Sequence, residues 1–394
     1  MKVLYITYDG LTDPLGASQV LPYLSGMADA GIKFTVISFE KKEKIKNVML
    51  CKAACLKMDL ATLQYHKKPP LFSTCYDIAC GIIKACTIVR KEGQKIVHAR
   101  GYVAALVALF IKRIFKTKFV FDMRGFWADE RSEAGLWKKD SRIYRVAKYF
   151  EKQFFLKADY IISLTNSGKE EIAKLGYLKS RPLYIEVIPT CVDLEKFKLI
   201  PANKTPGQLS KKNTLVYVGS VSTWYMLKEM IDFAIMANKA GLADKFIIVT
   251  HETDYAKKAL KIGCDDFISV VSANRDEVQN YISSASIGLA FYKPGYSRKG
   301  CCPTKLGEYL ACGVPVIINS GVGDSDALVM GERVGVVLDE FSESEYSRAI
   351  DIIRGLLAEG ESLRLRCRAA AAKCLSLETG VKRYIDVYRS LSRR

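Results

Sequence analysis

The chain has 394 residues and a formal net charge of +18, with 49% hydrophobic and 26% charged residues. This composition excludes a disordered protein, and the length suffices for two domains that each have a core. Residues 1–195 hold 32 basic and 20 acidic side chains. No zinc-finger, RNA-recognition or helix-turn-helix pattern accompanies this charge. We therefore expect no nucleic-acid partner and favour an anionic membrane surface or an anionic substrate.

The twelve cysteines are scattered and include no CxxC pair. In a chain of this size they indicate reduced, mostly buried thiols, so we expect a cytoplasmic protein. The sequence starts with a strand pattern and not with the long apolar segment of a signal peptide. The longest clean apolar run, residues 103–111, is shorter than the about 20 residues that a membrane-spanning helix needs.

Short apolar, β-rich runs alternate with helical patterns along the first half of the chain. Such alternation predicts parallel sheets covered by helices on both faces. An amphipathic helix is predicted at 20–30 and ends before Gly31. The predicted strands are 2–7, 34–39, 96–98, 118–121 and 160–164.

The second half repeats this alternation after a polar linker at 199–212 that contains Pro and Gly. We therefore predict two domains, residues 1–198 and 199–375. Apolar residues at helical spacing in the terminal segment 376–394 predict a helix that packs back on the first domain. The predicted strands of the second domain are 214–218, 246–249, 267–270, 287–291, 314–318 and 334–337.

Ligands of parallel α/β sheets bind at the carboxyl ends of the strands, so the loops that follow strands are candidate sites. The loop at 9–19 contains Asp13 and Gly16, and Ser18 is placed to cap a helix that faces an anion. An ordinary turn between strand and helix is the structural alternative.

A second loop, at 121–133, places Asp122 and Arg124 directly after a strand and follows them with Trp127. This density of polar groups suggests a sugar held by carboxylates, with the Trp127 ring stacked on its apolar face. A salt-bridged surface loop is the alternative. His98 follows another strand, and a lone histidine is more often structural than catalytic.

In the second half, Gly219 directly follows a strand and would let the backbone approach a pyrophosphate, while Ser220 offers a hydroxyl donor. The most informative segment is 293–316. There a basic loop leads into a helix whose opening turns contain Lys305 and Glu308. A helix N-terminus suits phosphate, and a carboxylate deeper in the helix accepts hydrogen bonds from sugar hydroxyls. This segment therefore indicates a nucleotide-sugar site.

Two basic amphipathic stretches, 102–118 and 141–157, are candidates for contact with a membrane. In the second, Arg142, Arg145 and Lys148 share one helical face, opposite an apolar face. A cationic stripe beside an apolar one suits anionic lipid. A solvated helix packed on its own sheet is the alternative.

Several segments, in this order, resemble a GT-B-fold retaining glycosyltransferase of family 4 over nearly the whole chain. They are DGLTDPLGASQVLPYLSGMADAGIKFTVISFEK, FLKADYIISLTNSGKEEI, VIPTCVDLEKF, LVYVGSV and PTKLGEYLACGVPVI. The resemblance implies an α/β fold of two Rossmann-like domains that face each other across a cleft. It also implies a nucleotide sugar held mainly by the second domain, and no cofactor or divalent metal.

The same resemblance assigns roles to individual residues. Glu308 matches the glutamate that binds the ribose hydroxyls, and Lys305 and Leu306 would approach the diphosphate and ribose. Gly16 matches the glycine whose backbone meets the donor diphosphate. The implied reaction proceeds with retention through a short-lived oxocarbenium-like state in which the donor phosphate assists the incoming hydroxyl.

The sequence departs from the family pattern at three positions. Gly300 stands where many members have a further carboxylate, and Ser220 and Tyr225 stand where members have an arginine and a lysine. The phosphate charge would then be met by basic residues of the donor loop and helix, among them Arg298 and Lys305.

A frequent catalytic-site histidine is replaced by Arg100. Asp122 and Asp13, with Arg124 beside Asp122, are therefore our candidates for polar contact with the reacting sugar.

We expect a cytoplasmic, membrane-peripheral hexosyltransferase that moves a sugar from a nucleotide-sugar donor to a lipid-linked or polysaccharide acceptor in cell-surface glycan synthesis. A GT-B nucleotide-sugar epimerase and a non-catalytic membrane-bound scaffold are the alternatives. A nicotinamide-dependent oxidoreductase is disfavoured, because no GxGxxG follows the first strand of either domain.

Overall fold

The computed structural model describes residues 1–41, 58–179, 182–200, 213–260 and 266–393. The chain forms two compact units, the first from Met1–Pro189 and Leu377–Arg394 and the second from Thr190–Ser376. Each unit contains one parallel sheet and its own apolar core. Of the linker predicted at 199–212, residues 201–212 lie outside the described part of the chain.

The first unit has a seven-stranded parallel sheet in the order β3-β2-β1-β4-β5-β6-β7. The five strands predicted here are confirmed, while β3 and β7 were missed. Both lie at the sheet edges and are only half-buried, so their sequences lack a long apolar run. The strands are β1 Lys2–Thr7, β2 Lys33–Glu40, β3 Met58–Gln64, β4 Ile96–Arg100, β5 Lys118–Asp122, β6 Tyr160–Ser163 and β7 Ile185–Val187.

Helices cover this sheet and pack on a core of apolar residues from β1, β2, β4 and β5. The helix predicted at 20–30 is confirmed as α2, and a short additional helix, α1, precedes it. The helices are α1 Pro14–Gln19, α2 Leu21–Asp29, α3 Pro70–Glu92, α4 Tyr102–Phe115, α5 Trp127–Glu133, α6 Arg142–Lys157 and α7 Asn166–Ala173.

The second unit has a six-stranded parallel sheet in the order β10-β9-β8-β11-β12-β13. All six strands predicted here are confirmed. They are β8 Asn213–Val218, β9 Ala243–Val249, β10 Ile268–Val271, β11 Ile287–Ala290, β12 Val316–Asn319 and β13 Gly335–Leu338. The helices are α8 Leu227–Lys239, α9 Thr253–Ala259, α10 Val278–Ser283, α11 Thr304–Ala311, α12 Ser325–Gly331, α13 Glu343–Leu357 and α14 Glu361–Leu375.

The last helix, α15 Leu377–Arg393, belongs to the first unit and packs against α2. A Cβ at Gly26 of α2 would lie 2.8 Å from a methyl group of Val381, so the two helices approach closely there. The Tyr384 ring meets the Tyr23 ring edge-to-face at 5.5 Å. The buried face of α15 thus completes the core of a unit whose other elements precede residue 190.

Among the described helices, α3 is long and apolar enough over Leu71–Glu92 to cross a membrane by length and composition. The expectation that no apolar segment reaches that length is therefore wrong. A third of its most apolar window is buried in the unit. Gly81 lets the helix lie close to β2 and α4, since a Cβ there would be 3.2 Å from Phe39 and Val107. Core helices of water-soluble proteins pass the same test, so it is weak support for a membrane span.

Candidate functional site

The loop after β1 is organised by Glu40, the last residue of the neighbouring strand β2. Its buried carboxylate accepts hydrogen bonds from the backbone N–H groups of Leu11, at 2.6 Å, and Thr12, at 3.3 Å, and from the Thr12 hydroxyl at 2.5 Å. A Cβ at Gly10 would lie 2.6 Å from the same carboxylate. The loop is therefore built around an internal anion that the sequence did not reveal.

Asp13 and Gly16 lie at the start of α1, directly after this loop. Asp13 forms an ion pair with Lys41 at 3.0 Å. A Cβ at Gly16 would lie 2.0 Å from the Gly10 carbonyl oxygen, so only glycine fits this close approach. The prediction that Ser18 caps a helix is wrong, because α1 starts at Pro14 and the Ser18 hydroxyl donates to the Pro14 carbonyl within it.

Asp122, at the end of β5, is buried and bound by groups of its own unit. Tyr384 of α15 donates a hydrogen bond to its Oδ2 at 2.9 Å, and the His98 Nε2 lies 3.5 Å from the same oxygen. The other ring nitrogen of His98 is 2.7 Å from the Tyr388 hydroxyl. His98 is fully buried, and burial lowers its pKa. Asp122 and His98 thus tie the sheet to the C-terminal helix.

Arg124 completes this polar cluster and is the member nearest to solvent. Its Nη1 lies 3.8 Å from Asp122 Oδ1, and its Nη2 donates to Gln19 at 2.8 Å. Burial alone would raise the pKa of Asp122, but the guanidinium of Arg124, with His98 and Arg100, holds it at about 2. The carboxylate is therefore ionised at neutral pH. The other predicted aspartate, Asp13, follows β1, whereas Asp122 ends β5. Because β4 lies between these two strands, the two aspartates are on strands that are not adjacent.

In the second unit, Lys305 lies in the first turn of α11 and is buried. Its Nζ lies over the rings of Tyr217 and Tyr225, 4.0 Å from each centroid, and makes no hydrogen bond with any described residue. Burial lowers the pKa of Lys305 well below its usual range. An amine without a partner at the N-terminus of a helix is suited to an anionic ligand.

Glu308 lies one turn further along α11 and is half-buried. Burial raises its pKa to about 7, while Lys305 and Arg275 act in the opposite direction. The backbone N–H group of Leu306, between the two charged residues, donates to the Pro303 carbonyl at 3.2 Å, and its side chain is buried in the core. Lys305 and Glu308 are thus brought together as the sequence predicted.

The loop after β8 is already occupied by a carboxylate. Glu252 accepts hydrogen bonds from the hydroxyls of Ser220, at 2.5 Å, and Ser222, at 2.6 Å. It also accepts from the backbone N–H groups of Val221, at 2.7 Å, and Ser222, at 3.2 Å. These hydrogen bonds lower its pKa despite burial. Gly219 precedes them with a φ of 123°, and a Cβ there would lie 3.5 Å from the Lys305 Nζ.

Arg298 lies in a short 3-10 helix, Tyr296–Gly300, before α11. It is buried, its guanidinium lies 4.7 Å from the centroid of the Trp224 ring, and its Nη2 donates to Ser297 at 3.0 Å. Gly300, at the end of this turn, is also buried.

Sequence reasoning missed the three groups that shape these loops. Glu40 is the last residue of a strand next to the loop it holds, and Glu252 follows such a strand; strand order cannot be read from the sequence. The tyrosines around Lys305 are separated from it by up to 88 positions. The available signal was a charged side chain at the end of a strand for Glu40 and three positions after one for Glu252.

Residues 18–196 match the family model described as Glycosyltransferase Family 4. This match spans most of the first unit and less than half of the chain. No curated protein sequence matches the chain.

Solved structures extend the likeness to the whole fold. The sucrose-phosphate synthase of Thermosynechococcus elongatus aligns with a TM-score of 0.77 at 14% identity, over 100% of this chain and 99% of that one. Anabaena HepE in complex with UDP and glucose aligns with a TM-score of 0.72 at 15% identity, over 99% and 100%. WaaG, a glycosyltransferase involved in lipopolysaccharide biosynthesis, aligns with a TM-score of 0.69 at 14% identity, over 98% and 99%. At these identities the likeness establishes the GT-B fold.

Proposed function

We propose that this protein is a retaining glycosyltransferase that moves a hexose from a nucleotide sugar to a lipid-linked or glycan acceptor. The Lys305 and Glu308 pair at the start of α11 carries this proposal, because a fold alone does not define a function. The pair combines an amine for a diphosphate with a carboxylate for ribose hydroxyls. Both have pKa values shifted by burial, which is typical of functional sites. The family model matched by residues 18–196 supports the same activity.

In the proposed reaction, the bond between the sugar C1 and the diphosphate oxygen breaks as the acceptor oxygen attacks from the same face. The acceptor hydroxyl gives its proton to an oxygen of the departing diphosphate, so the step needs no external oxidant or cofactor. Lys305, with Arg298 nearby in the sequence, would stabilise the negative charge that develops on the diphosphate. Gly219, Ser220 and Leu306 would line the nucleotide site, and we expect no metal ion.

The first unit would contribute Gly16 to the donor diphosphate and Asp13, Asp122 and Arg124 to the reacting sugar. Asp122 is 1% exposed, and three protein groups already face its carboxylate. Arg124 is the more exposed residue of the pair, so Asp122 would act mainly by holding Arg124 in place.

A lipid-linked acceptor requires access to a membrane, and the helices α3, α4 and α6 offer a surface for it. Helix α3 packs beside α4, and α4 packs beside α6. Between residues 71 and 87, Lys84 is the one charged residue among the exposed positions of α3. The exposed large apolar residues of the three helices are Leu71, Phe72, Tyr76, Ile83, Phe110, Ile114, Ile143, Val146 and Tyr149.

Basic residues accompany this surface and favour an anionic bilayer over a neutral one. Arg142 and Arg145 are exposed beside Ile143 and Val146 on α6. Lys148 is less suited to lipid, because it forms ion pairs with Asp129 and Glu151. We therefore propose that the protein is cytoplasmic and binds peripherally to the inner face of the cell membrane.

Replacing Phe72 and Ile83 together by aspartate should lower binding to anionic vesicles at least about tenfold, because two exposed apolar side chains lose their lipid contact. Sedimentation with phosphatidylcholine vesicles, with and without phosphatidylglycerol, measures this. The matched control replaces Met330 and Leu365, two exposed apolar residues of the second unit, by aspartate. Equal binding by wild type and both double variants, or no preference for phosphatidylglycerol, would remove the membrane proposal.

A nucleotide-sugar site predicts that a UDP- or GDP-sugar raises the melting temperature of the wild-type protein. A ligand at about 100 times its dissociation constant adds about 2.7 kcal/mol to the free energy of unfolding. The variant Glu308→Ala should lose most of this increase, whereas Glu343→Ala, which removes an exposed carboxylate of α13, should retain it. If no nucleotide sugar stabilises the wild-type protein, the transferase proposal fails.

The same assay, followed by donor consumption, separates the alternatives. A transferase consumes donor faster when lipid or glycan acceptor is added. An epimerase converts the donor without an acceptor. A non-catalytic scaffold binds vesicles and leaves the donor unchanged. This outcome is expected if the loss of the family's carboxylate at Gly300 and arginine at Ser220 abolishes catalysis.

A further inference from the structure

The amine of Lys305 lies among three tyrosine rings, which we call the tyrosine cage. Its Nζ is 4.0 Å from the ring centroids of Tyr217 and Tyr225 and 5.5 Å from that of Tyr292. The rings come from β8, from the loop before α8 and from the residues after β11. A backbone bridge between Tyr225 and Tyr292 fixes two of them relative to each other. Because the faces of aromatic rings attract cations, the cage holds the amine in place and favours its ammonium form once a ligand supplies negative charge.

Few charges near the cage compensate this amine. Glu308 lies one turn away on the same helix, and Cys301 lies in the preceding loop; both partly oppose the lowering of the Lys305 pKa by burial. The hydroxyls of Tyr217 and Tyr292 do not ionise at neutral pH, because burial raises their pKa values well above the usual range. A buried amine that makes no hydrogen bond with the described residues is costly, so its presence at this place points to a ligand.

In the neighbouring loop after β8, two backbone N–H groups that could bind a phosphate are already used. The N–H groups of Val221 and Ser222 both donate to Glu252, as do the hydroxyls of Ser220 and Ser222. A second anion at this place would meet a carboxylate. A diphosphate bound beside this loop therefore requires a positive charge from another element, and the Lys305 amine of α11 lies next to the loop at Gly219.

We propose that Tyr217, Tyr225 and Tyr292 are positioning residues that hold the Lys305 amine for the diphosphate of the nucleotide ligand. This inference rests on the proposed function, since it concerns the same site. A side chain at position 219 would begin 3.5 Å from Nζ, and glycine leaves this space open. The phosphate charges favour the ammonium form, so nucleotide binding draws a proton onto Lys305. No covalent bond forms or breaks in this step.

Calorimetric titration with UDP at pH 8 tests the assignment, because Glu308 is then mostly ionised. GDP serves as the probe if only guanine nucleotides stabilise the protein. The variant Lys305→Met should bind UDP about 10- to 100-fold more weakly and leave uridine binding unchanged, since uridine has no phosphate. Tyr225→Leu should weaken UDP binding about 3- to 10-fold, while Tyr225→Phe keeps the ring and stays within about twofold of wild type.

Proton uptake on binding distinguishes a direct role of Lys305 from a merely structural one, because a structural role would not change the number of protons taken up. Binding enthalpies measured in buffers with different ionisation enthalpies should show up to about one proton more taken up by wild type than by Lys305→Met. If the wild-type protein binds UDP and Lys305→Met binds it equally, or if proton uptake is the same, the inference fails and the proposed function survives. If the wild-type protein binds no nucleoside diphosphate, both fail. Lys305→Met leaves the cage intact, so it tests the amine even where Tyr225→Leu does not fold.

Discussion

Asp122→Ala is expected to lower the free energy of unfolding by about 3 to 5 kcal/mol, a large fraction of the stability of a typical domain. The substitution removes the carboxylate that faces the guanidinium of Arg124, and this guanidinium is largely buried. It also removes the acceptor of the Tyr384 hydroxyl and the carboxylate next to His98. Urea denaturation at neutral pH measures the loss.

A surface ion pair supplies the matched control. Asp351 and Arg354 are 3.0 Å apart, but the Asp351 side chain is 72% exposed. Because exposed pairs contribute about 0 to 1 kcal/mol, Asp351→Ala should change stability little. Hydrogen exchange should become faster in α15 for Asp122→Ala only. A loss below about 1 kcal/mol for Asp122→Ala would mean that the cluster does not anchor the terminal helix.

Glu308→Gln is expected to make the ligand-free protein more stable than wild type at pH 8 by about 1 to 3 kcal/mol. The pKa of Glu308 is raised to about 7 in the folded protein, above its usual 4.5. Its contribution to stability is therefore fully present below pH 4.5 and is lost as the pH rises through 7. A glutamine stays neutral, so the advantage of the variant should grow between pH 5 and pH 8.

Denaturation at pH 5 and pH 8 measures that advantage, and Glu343→Gln, an exposed change on α13, is the control that should show no such trend. The same Glu308→Gln protein should bind nucleotide more weakly than wild type. A variant that is more stable but binds nucleotide more weakly would indicate that the Glu308 carboxylate serves ligand binding at the expense of stability. If the stability difference between Glu308→Gln and wild type is the same at both pH values, the carboxylate is solvated in the folded protein and the prediction is wrong.

The strands of both sheets could be predicted because parallel strands buried on both faces have continuous apolar sequences. Edge strands β3 and β7 lack this signal, since one is half-exposed and the other has three residues. The length of the apolar segment in helix α3 was not recognised from the sequence, because Cys, Ser, Thr and a buried Asp77 interrupt it.

The candidate site could be predicted only where its residues are close in sequence. Lys305 and Glu308 lie on one helix, so their spacing was informative. The tyrosine cage and Glu252 are brought to Lys305 and to the loop after β8 by strand order, which the sequence does not contain. Asp122 and Arg124 were recognised as a polar cluster. Their partners on α15 are more than 250 positions away, so the tie to the terminal helix could not be inferred.

The helix α15 has a consequence for how the protein is made. The ribosome synthesises the sheet of the first unit before any of the second, and domains generally fold in the order of synthesis. Yet Tyr384 and Tyr388, which cover Asp122 and His98, are translated after the whole second unit. While translation continues, the first unit therefore has its buried charges uncovered on that face. The core of the first unit can therefore be complete only when the last helix of the chain has been made.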